Sequence, residues 1–385
     1  MSKAKGQGPR AKGKKMGGSR WSVMLLCLLG VFGSSTSDSA LFGFKRAIPG
    51  YTLTFPNDHA AHPAYQTEWW YYTGHLRTTT GKTYSYQLTF FRHRLDSSGP
   101  TLNPSQWFAE NVYMAHMAIT DAQGQRFAYG EKLNRAALGL AGATEERYHV
   151  WNEDWLAERL GTVHHLKADI PDFTLNLILT PLKPPVLHGA QQDGLSQKGE
   201  GQGHASHYYS YTRMKTEGVL HTKDGVFDVV GLSWMDHEFG STQLKDYQVG
   251  WDWFSLQLAN NYELMLYHIR HKDGSFDPYS SGTLVFPDGS SQHLRREEFQ
   301  IEAHDTWKSP KSGAVYPQRW TIRVPKAHLT LHLEPVMAAQ ELVTDNSTRV
   351  TYWEGSVRVR GAMQDEALEG SGYVEMTGYA QRVPI

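Results

Sequence analysis

The sequence predicts an all-β protein made of antiparallel barrel or sandwich domains with few short helices. From residue 48 onward, short segments rich in β-branched and aromatic residues recur, and many alternate apolar with polar positions. Turn sequences such as DAQGQ, KDGS and PDGSS separate these segments. Many short strands joined by Gly, Asn and Asp turns are typical of an antiparallel sandwich or barrel.

The predicted elements follow in chain order. The strands are YTLTF, TEWWYYTGHL, TYSYQLTFFRH, YMAHMAIT, FTLNLILT, VFDVVGLSWMD, WDWFSLQL, YELMLYHIR, GTLVF, RWTIRV, LTLHLEP and SVRVRG. Helical patterns are few: NEDWLAERLG at residues 152–161 predicts one helix, and LNRAALGL at residues 133–140 predicts a second. Residues 181–203, with PLKPP and GLSQKGEGQG, predict an exposed loop.

The first forty residues predict a signal peptide. Residues 3–20 carry Lys and Arg without an acid, an apolar run follows at residues 21–32, and small residues lead to Ala40. We therefore expect a secreted or periplasmic protein, with an uncleaved segment that anchors the protein in the membrane as the alternative. The single cysteine, Cys27, lies in the apolar run, so cleavage near Ala40 leaves a protein without disulfides.

The amino-acid composition limits the classes of partner that the protein can bind. The net charge is −1, and Lys and Arg are scattered after the first forty residues, so we expect no nucleic-acid partner. The histidines lie in strands and loops without the spacing of a metal-binding helix, and we expect no built-in metal site. The sequence contains no Gly-x-Ser-x-Gly elbow and no phosphate-binding glycine loop after a strand.

An internal repeat divides the chain. Residues 69–76 align with residues 251–258, and each copy leads into an apolar strand that ends at an arginine, Arg92 or Arg270. We therefore predict two related β domains, residues 41–240 and 241–385. Chance similarity between two aromatic-rich hairpins is the alternative.

The first strand of that repeat, EWWYYTGHL, is aromatic on both faces. In an extended strand Glu68, Trp70 and Tyr72 share one face, and Trp69 and Tyr71 share the other. We expect the first face, together with Tyr86 of the next strand, to line a ligand cavity with Glu68 at its rim. The second face then meets the other domain or a helix. The alternative is a packed core with a glutamate on the surface.

A second motif, GLSWMDHEFGS, carries the candidate chemistry. Trp234 and Asp236 share a face, so Asp236 ends an apolar wall beside an indole, and Glu238 is its neighbour on that face. Desolvation there would raise the pKa of Asp236 and keep it protonated, as a general acid requires. The alternative is an aspartate that ends its strand by accepting backbone hydrogen bonds. Asp252, between Trp251 and Trp253, is a further candidate because it takes the repeat position of Trp70.

Three motifs occur in this order along the chain: EWWYYTGHL with YSYQLTFFR, then GLSWMDHEFGS, then GWDWFSLQL. Together they resemble the AttH-like and carotenoid 1,2-hydratase family, from about Tyr51 to Tyr379. The resemblance implies two lipocalin-like β-barrel domains with an apolar chamber in or between them. It also implies cofactor-free addition of water to an isolated C=C bond of an acyclic carotenoid, or action on another apolar terpenoid-like or polyketide molecule. Many bacterial members are exported and labelled as secreted hydrolases.

The resemblance also implies roles for single residues. Asp236 falls at the position of the aspartate that protonates the alkene, and Trp234 stands where the family has a tyrosine. Tyr209 is similar to an aromatic wall position. Trp70, Tyr72, Trp234 and Trp253 would flank a carbocation, and Asp236 or Glu238 would activate the attacking water. Alternatives are a non-catalytic carrier of an apolar molecule, a partner of an envelope or transport complex, and a secreted hydrolase.

Overall fold

The computed structural model describes residues 43–95, 110–242 and 244–383. The predicted signal peptide lies outside these residues. All of the described residues belong to one compact unit. Within the described ranges, no helix combines the length and the hydropathy needed to cross a bilayer.

The first sheet is antiparallel and has thirteen strands. They are β1 (Thr67–Thr78), β2 (Thr83–Arg94), β3 (Asn111–Asp121), β4 (Arg126–Arg135), β5 (Ala141–Ala143), β6 (His149–Asn152), β7 (Trp155–Leu160), β8 (Val163–Ile170), β9 (Phe173–Pro181), β10 (Val186–Leu187), β11 (Leu195–Gln197), β12 (Ala205–Thr222) and β13 (Gly225–Thr242). Their order is β4-β3-β2-β1-β13-β12-β9-β8-β7-β6-β5, with β10 and β11 paired to β12. The sheet curls until β4 contacts β5, β6 and β8.

The second sheet is antiparallel and has ten strands. They are β14 (Gln248–Leu258), β15 (Glu263–His271), β16 (Ser281–Val285), β17 (Ser291–Arg295), β18 (Gln300–Lys308), β19 (Val315–Val324), β20 (Leu329–Pro335), β21 (Glu341–Val343), β22 (Thr351–Met363) and β23 (Glu366–Met376). Their order is β17-β16-β15-β14-β23-β22-β20-β19-β18, with β21 paired to β22. Three short 3-10 turns, Asn57–His59, Arg296–Glu298 and Pro325–Ala327, are the helical elements of the described chain. The predicted all-β class is therefore confirmed.

Both sheets use the same order of pairing. In each, the first strand pairs with the second strand on one side and with the last strand on the other: β1 lies between β2 and β13, and β14 lies between β15 and β23. The aligned segments of the repeat, residues 69–76 and 251–258, thus occupy equivalent central strands. The assignment of residues 41–240 and 241–385 to separate domains stays a prediction.

Alternating burial explains why these sequences form strands. Along β9, Leu175, Leu177 and Leu179 are fully buried, whereas the residues between them are half-buried or exposed. Leu329, Leu331 and Leu333 repeat the pattern along β20. Each such leucine contributes roughly 1.5–3 kcal/mol through removal of apolar surface from water. The two apolar interiors that result carry the fold.

Both predicted helices are wrong. Residues 152–161 form the end of β6 and all of β7, and Glu153 takes a left-handed conformation (φ 57°) in the tight turn between them. Trp155 and Ala157 are buried at alternate positions, so the period is that of a strand. Residues 133–140 continue β4 to Arg135, and Leu138 and Gly139 then adopt positive φ angles that no α-helix accommodates. Tertiary pairing overrides the helix propensity of these residues.

The predicted exposed loop is also wrong in part. Residues 182–203 contain β10 and β11, and three of their side chains, Lys183, His188 and Lys198, are buried. His188 contacts Ser210 of the first sheet (Nε2–Oγ 2.7 Å) and Thr283 of the second (Nδ1–Oγ1 2.9 Å). Lys183 donates to Glu263 of the second sheet (2.8 Å). The polar residues that suggested a solvated loop are satisfied by groups of both sheets instead.

Candidate functional site

The pairing of β1 with β13 separates the predicted site residues into two faces. Tyr71 lies opposite Asp236, and Trp70 lies opposite His237. Because residues directly opposite each other in an antiparallel pair project to the same side, Asp236 and Tyr71 share one face and Trp70 and His237 the other. The Asp236 face meets the second sheet, and the Trp70 face points into the first.

An aromatic cluster fills the space where the two sheets meet. This inter-sheet cluster consists of Tyr71, Tyr208, Trp234, Trp253, Met265, Tyr267, Ile269 and Tyr373, with the half-buried Trp69, Leu244 and Trp251 packed against it. The rings of Trp234 and Trp253 meet edge to face, with centroids 6.3 Å apart, and those of Tyr71 and Trp253 do so at 5.2 Å. Such contacts give a rigid apolar wall contributed by both sheets.

Asp236 is the carboxyl group in this wall. Tyr208 donates to its Oδ2 (2.9 Å), Trp234 Nε1 donates to its Oδ1 (2.7 Å), and Ser210 also donates to Oδ1. Burial raises the pKa of Asp236 to about 7, against the lowering effect of these three donors, and the charge of Glu238 adds to the increase. A substantial fraction of Asp236 is therefore neutral at physiological pH and able to give up a proton.

Three further carboxyl groups lie near Asp236. Glu238 accepts hydrogen bonds from Ser206 and from Lys198 Nζ (3.2 Å). Burial opposes the charge of Lys198, but the neighbouring Glu238 raises the pKa of the Lys198 ammonium above its usual value, so Lys198 is charged.

The other two carboxyl groups come from the second sheet. Glu354 accepts from Tyr71, and burial raises its pKa well above the usual range. Glu375 accepts from Trp251 Nε1 (2.9 Å), and burial raises its pKa to about 7, with Asp236 and Glu238 adding to the effect. The site thus holds one ionic pair and three carboxyls that are neutral or near their titration point.

The interior of the first sheet contains a second polar network around Glu68. Arg92 Nε donates to its Oε2 (3.1 Å), and His62 Nδ1 and His237 Nε2 each lie 2.8 Å from its Oε1. Burial opposes the charge of Glu68, but His62, His237 and Arg92 hold its pKa well below the usual range. His62 also contacts Asp58 (3.0 Å), and the two carboxylates raise its pKa although burial opposes this.

This network has the residues of a metal site but is satisfied without one. One ligand atom each of His62, Glu68 and His237 lies within 4.8 Å of the others. However, the protonated His62 donates to both carboxylates, and the guanidinium of Arg92 neutralises Glu68. A dication at this place would meet two resident cations, so the donor set favours an ion-pair network.

The remaining predicted ligand-binding residues lie away from Asp236. Tyr72 contacts Tyr148 (2.7 Å) and His164 (2.8 Å), and Tyr86 contacts Ser233 (2.7 Å), all inside the first sheet. Tyr209 bonds His237 Nδ1 (3.0 Å) and His59 Nδ1 (2.7 Å) on that same inner side.

Asp252 lies inside the second sheet, where Arg270 Nε (3.1 Å) and Tyr379 (3.2 Å) bond it. The pair resembles Glu68 and Arg92 of the first sheet, although the repeat alignment places Asp252 at the position of Trp70.

The predicted site residues therefore fall into three groups. Trp234, Asp236, Glu238, Trp251 and Trp253 come together between the sheets; Glu68, Trp70, Tyr72, Tyr86 and Tyr209 lie inside the first sheet; and Asp252 lies inside the second. The expectation that Trp70 and Tyr72 flank the same ion as Trp234 and Trp253 is wrong, because β1 presents alternate residues to opposite faces. The expected rim position of Glu68 is also wrong, because its side chain is fully buried.

Sequence reasoning missed five groups that surround Asp236. Tyr208, and not Tyr209, provides the phenol next to the carboxyl, and Ser210 provides a hydroxyl. The register of β12 against β13 pairs Ser210 with Asp236 and Tyr209 with His237, which places them on opposite faces. Lys198, Glu354 and Glu375 come from distant segments, and no local motif indicates them.

Two surface cavities are lined by residues other than Asp236 and its neighbours. One, of about 290 Å³, is lined by Arg77, Thr78, Thr79, Gly81, Asp228 and Val230. The other, of about 500 Å³, is lined mainly by polar residues, including Tyr129, Lys311 and Asn346.

Two curled antiparallel sheets with an acid-containing aromatic cluster between them define a lipocalin-like protein. Comparison with known proteins gives the particular family: the AttH-like family model matches residues 46–379. A protein of Nitrosomonas europaea described as an AttH is 32% identical, with a TM-score of 0.79 over 87% of this chain and 99% of the other. The chain belongs to the AttH-like family.

Two more distant structures share the fold. Kievitone hydratase of Nectria haematococca is 16% identical, with a TM-score of 0.66 over 88% of this chain and 99% of the other. CghA in complex with Sch210972 is 14% identical, with a TM-score of 0.52 over 83% of this chain and 90% of the other. No curated protein matches the sequence.

Proposed function

We propose that this protein binds an apolar unsaturated molecule between its two sheets and adds water to a C=C bond, with Asp236 as the general acid. The observation that carries the proposal is a carboxyl group with a pKa of about 7 inside an aromatic wall. An acid that is half protonated near neutral pH can donate a proton without a cofactor.

The proposed reaction balances without an oxidant or reductant. The Asp236 carboxyl gives its proton to one alkene carbon, which forms a C–H bond and leaves a cation on the neighbouring carbon. The faces of Trp234, Trp253 and Tyr71 stabilise this cation by about 0.5 to 2 kcal/mol each. Water then forms a C–O bond, and its proton passes to a carboxylate of the site, so that the sum is the addition of one water.

Trp234 in place of the family's tyrosine fits this mechanism. The hydroxyl that a tyrosine would supply is available from Tyr208, whose OH lies 2.9 Å from Asp236 Oδ2. Kievitone hydratase, which shares the fold, is by name an enzyme that adds water. That likeness supports the fold alone, and the reaction rests on the Asp236 environment.

The test is turnover of an acyclic terpene, squalene in detergent, in water enriched in ¹⁸O. We expect the wild type to form an alcohol that carries ¹⁸O, and Asp236→Asn to form it at least about 100-fold more slowly, because the general acid is lost. Asp228→Asn is the matched control, since Asp228 is an exposed aspartate on the same strand. Equal rates in Asp236→Asn and the wild type would exclude Asp236 as the acid.

Carriage of the apolar molecule without chemistry is the second candidate. It is favoured by the complete burial of the Asp236 surroundings, where Trp234 is 2% and Tyr208 2% exposed. A carrier would retain squalene through gel filtration and release it unchanged, in the wild type and in Asp236→Asn alike.

Export is a separate part of the proposal. The basic residues, the apolar run and the small residues that end at Ala40 support it. Mass spectrometry of the protein from its native host should show an N-terminus near residue 41. A full-length chain in the membrane fraction would instead support an uncleaved anchor.

A further inference from the structure

The proposed hydration needs a base as well as an acid. Water becomes a good nucleophile toward the cation only when a carboxylate accepts its proton. Four carboxyl groups lie close enough to influence one another: Asp236, Glu238, Glu354 and Glu375. This inference rests on the proposed function and asks which of them is the base.

Glu238 is poorly suited to accept a proton. Its Oε1 already accepts a hydrogen bond from Ser206 and an ionic contact from Lys198 Nζ (3.2 Å). Lys198 is itself 8% exposed and lies over the rings of Tyr267 (4.3 Å) and Tyr208 (5.0 Å), so it has little freedom to move away. Protonation of Glu238 would leave a buried ammonium without its counter-ion, which is costly.

Glu354 is unsuited for a different reason. It is 2% exposed, Tyr71 donates to it, and burial keeps it neutral far above its usual pKa. A carboxyl group that already carries a proton cannot accept another.

Glu375 has the properties that the other two lack. Its Oε2 accepts one hydrogen bond, from Trp251 Nε1 (2.9 Å), and within the described residues its Oε1 receives none. The side chain is half-buried, as are Trp69, Leu244 and Trp251 at the edge of the inter-sheet cluster. Glu375 thus lies at the less buried edge of the inter-sheet cluster, next to Trp251, whereas Asp236 is only 4% exposed.

We infer that Glu375 is the catalytic base of the site, which accepts the proton of the attacking water at Oε1 while Asp236 supplies the proton for the alkene carbon. In one turnover Asp236 loses a proton and Glu375 gains one. The water oxygen forms the C–O bond as one of its O–H bonds breaks. Proton exchange with solvent then returns both groups to their starting states.

The charges around the site fit the assignment of Asp236 as the acid and Glu375 as the base. The like charges of Asp236 and Glu238 raise the pKa of Glu375, and Glu354 is neutral. Lys198 forms its ion pair with Glu238. Two carboxyls that repel each other and both titrate near pH 7 favour the state in which only one is ionised. That singly protonated pair is the state that the mechanism needs.

The experiment separates the two half-reactions. Squalene is incubated in D₂O, and in a parallel sample in H₂¹⁸O, with the wild type, Glu375→Gln, Glu238→Gln and Asp236→Asn. Deuterium in recovered alkene reports reversible protonation by the acid, and ¹⁸O in the alcohol reports attack by activated water. Glu369→Gln is the matched control, because Glu369 is an exposed glutamate on the same strand.

We expect Glu375→Gln to lower ¹⁸O incorporation at least about 100-fold and to keep deuterium exchange within about threefold of the wild type. Glu238→Gln should lower both readouts together, because it leaves Lys198 buried without its counter-ion, and Asp236→Asn should lose both. Wild-type ¹⁸O incorporation in Glu375→Gln, or a hundredfold loss of ¹⁸O with retained deuterium exchange in Glu238→Gln, would overturn the inference.

A titration tests the inference without turnover. Carbon-13 NMR of carboxyl-labelled protein follows the pKa of Asp236 in the wild type and in Glu375→Gln. Because the variant lacks the like charge, the titration of Asp236 should move to lower pH. An unchanged titration shows that the two groups do not face each other and contradicts the base assignment. Absence of turnover in every sample, together with the expected shift, would instead count against the proposed reaction alone.

Discussion

At the scale of the residue, Asp236 is held in a position where its neutral form is favoured. Three donors surround the carboxyl, yet burial dominates and raises its pKa to about 7. Donors of this kind usually favour the charged form. The result is a group with nearly equal populations of both forms at physiological pH, which suits proton transfer.

This pKa makes a prediction about stability. In the unfolded chain Asp236 has a pKa near 3.8, so between that value and about 7 the native state binds the extra proton. The free energy of unfolding of the wild type therefore falls as pH rises through this window. Asp236→Asn lacks this dependence, and its stability relative to the wild type should increase by roughly 4 kcal/mol from pH 4 to pH 8.

Urea unfolding of both proteins across this pH range measures the difference. Asp228→Asn serves as the control, because that exposed aspartate should follow the wild type. Parallel stability curves for Asp236→Asn and the wild type would contradict the raised pKa.

The residue scale also shows what the sequence could predict. Period-2 alternation along β13 correctly placed Trp234 and Asp236 on one face and His237 on the other. It could not choose between Tyr208 and Tyr209, because that choice depends on the register of β12 against β13. It could not find Glu354 and Glu375, because they approach Asp236 only when the second sheet packs on the first.

At the scale of the element, each sheet places a buried carboxylate–arginine pair on its first two strands. Glu68 and Arg92 form it in the first sheet, and Asp252 and Arg270 form it in the second. The arginines also bind backbone carbonyl groups: Arg92 donates to those of His62 and Tyr65 (2.9 Å each). Each pair therefore fixes the chain that enters or leaves its sheet.

Loss of the Glu68 carboxylate should destabilise the folded protein. Glu68→Ala leaves Arg92 buried without a counter-ion and leaves the protonated His62 with Asp58 alone, and we expect the free energy of unfolding to fall by about 3 to 5 kcal/mol. The measurement is urea unfolding at pH 7.

An exposed ion pair provides the control. Arg360 and Glu369 lie 3.8 Å apart with side chains 76% and 79% exposed, so Glu369→Ala should leave stability unchanged within error. Equal effects of Glu68→Ala and Glu369→Ala would show that the buried network contributes nothing.

The errors in predicting elements have a common cause. The predicted helix at residues 152–161 and the predicted loop at residues 181–203 are both strongly polar segments. Their conformations are set by pairing with other strands: β7 pairs with β8, and β10 and β11 pair with β12. Local propensity carries no information about those partners.

At the scale of the whole molecule, the two sheets are joined by buried polar contacts. His116 of the first sheet lies 2.8 Å from both Tyr352 and Ser347, and Lys183 and Arg213 share Glu263 of the second sheet. Together with the inter-sheet cluster, these contacts favour a single folding unit.

We therefore expect one cooperative unfolding transition. Because tryptophans lie between the sheets, their fluorescence should change at the same urea concentration as the far-ultraviolet circular dichroism. Two separate midpoints would show that the sheets unfold independently and that the site between them can open without loss of either sheet.

The central claim is that Asp236 protonates an alkene between the sheets, and the position of one deuterium tests it most directly. Squalene converted by the wild type in D₂O should give an alcohol with one deuterium on the carbon next to the new C–O bond, and Asp236→Asn should give none of it. An alcohol without deuterium at that carbon, or normal product from Asp236→Asn, would contradict the account.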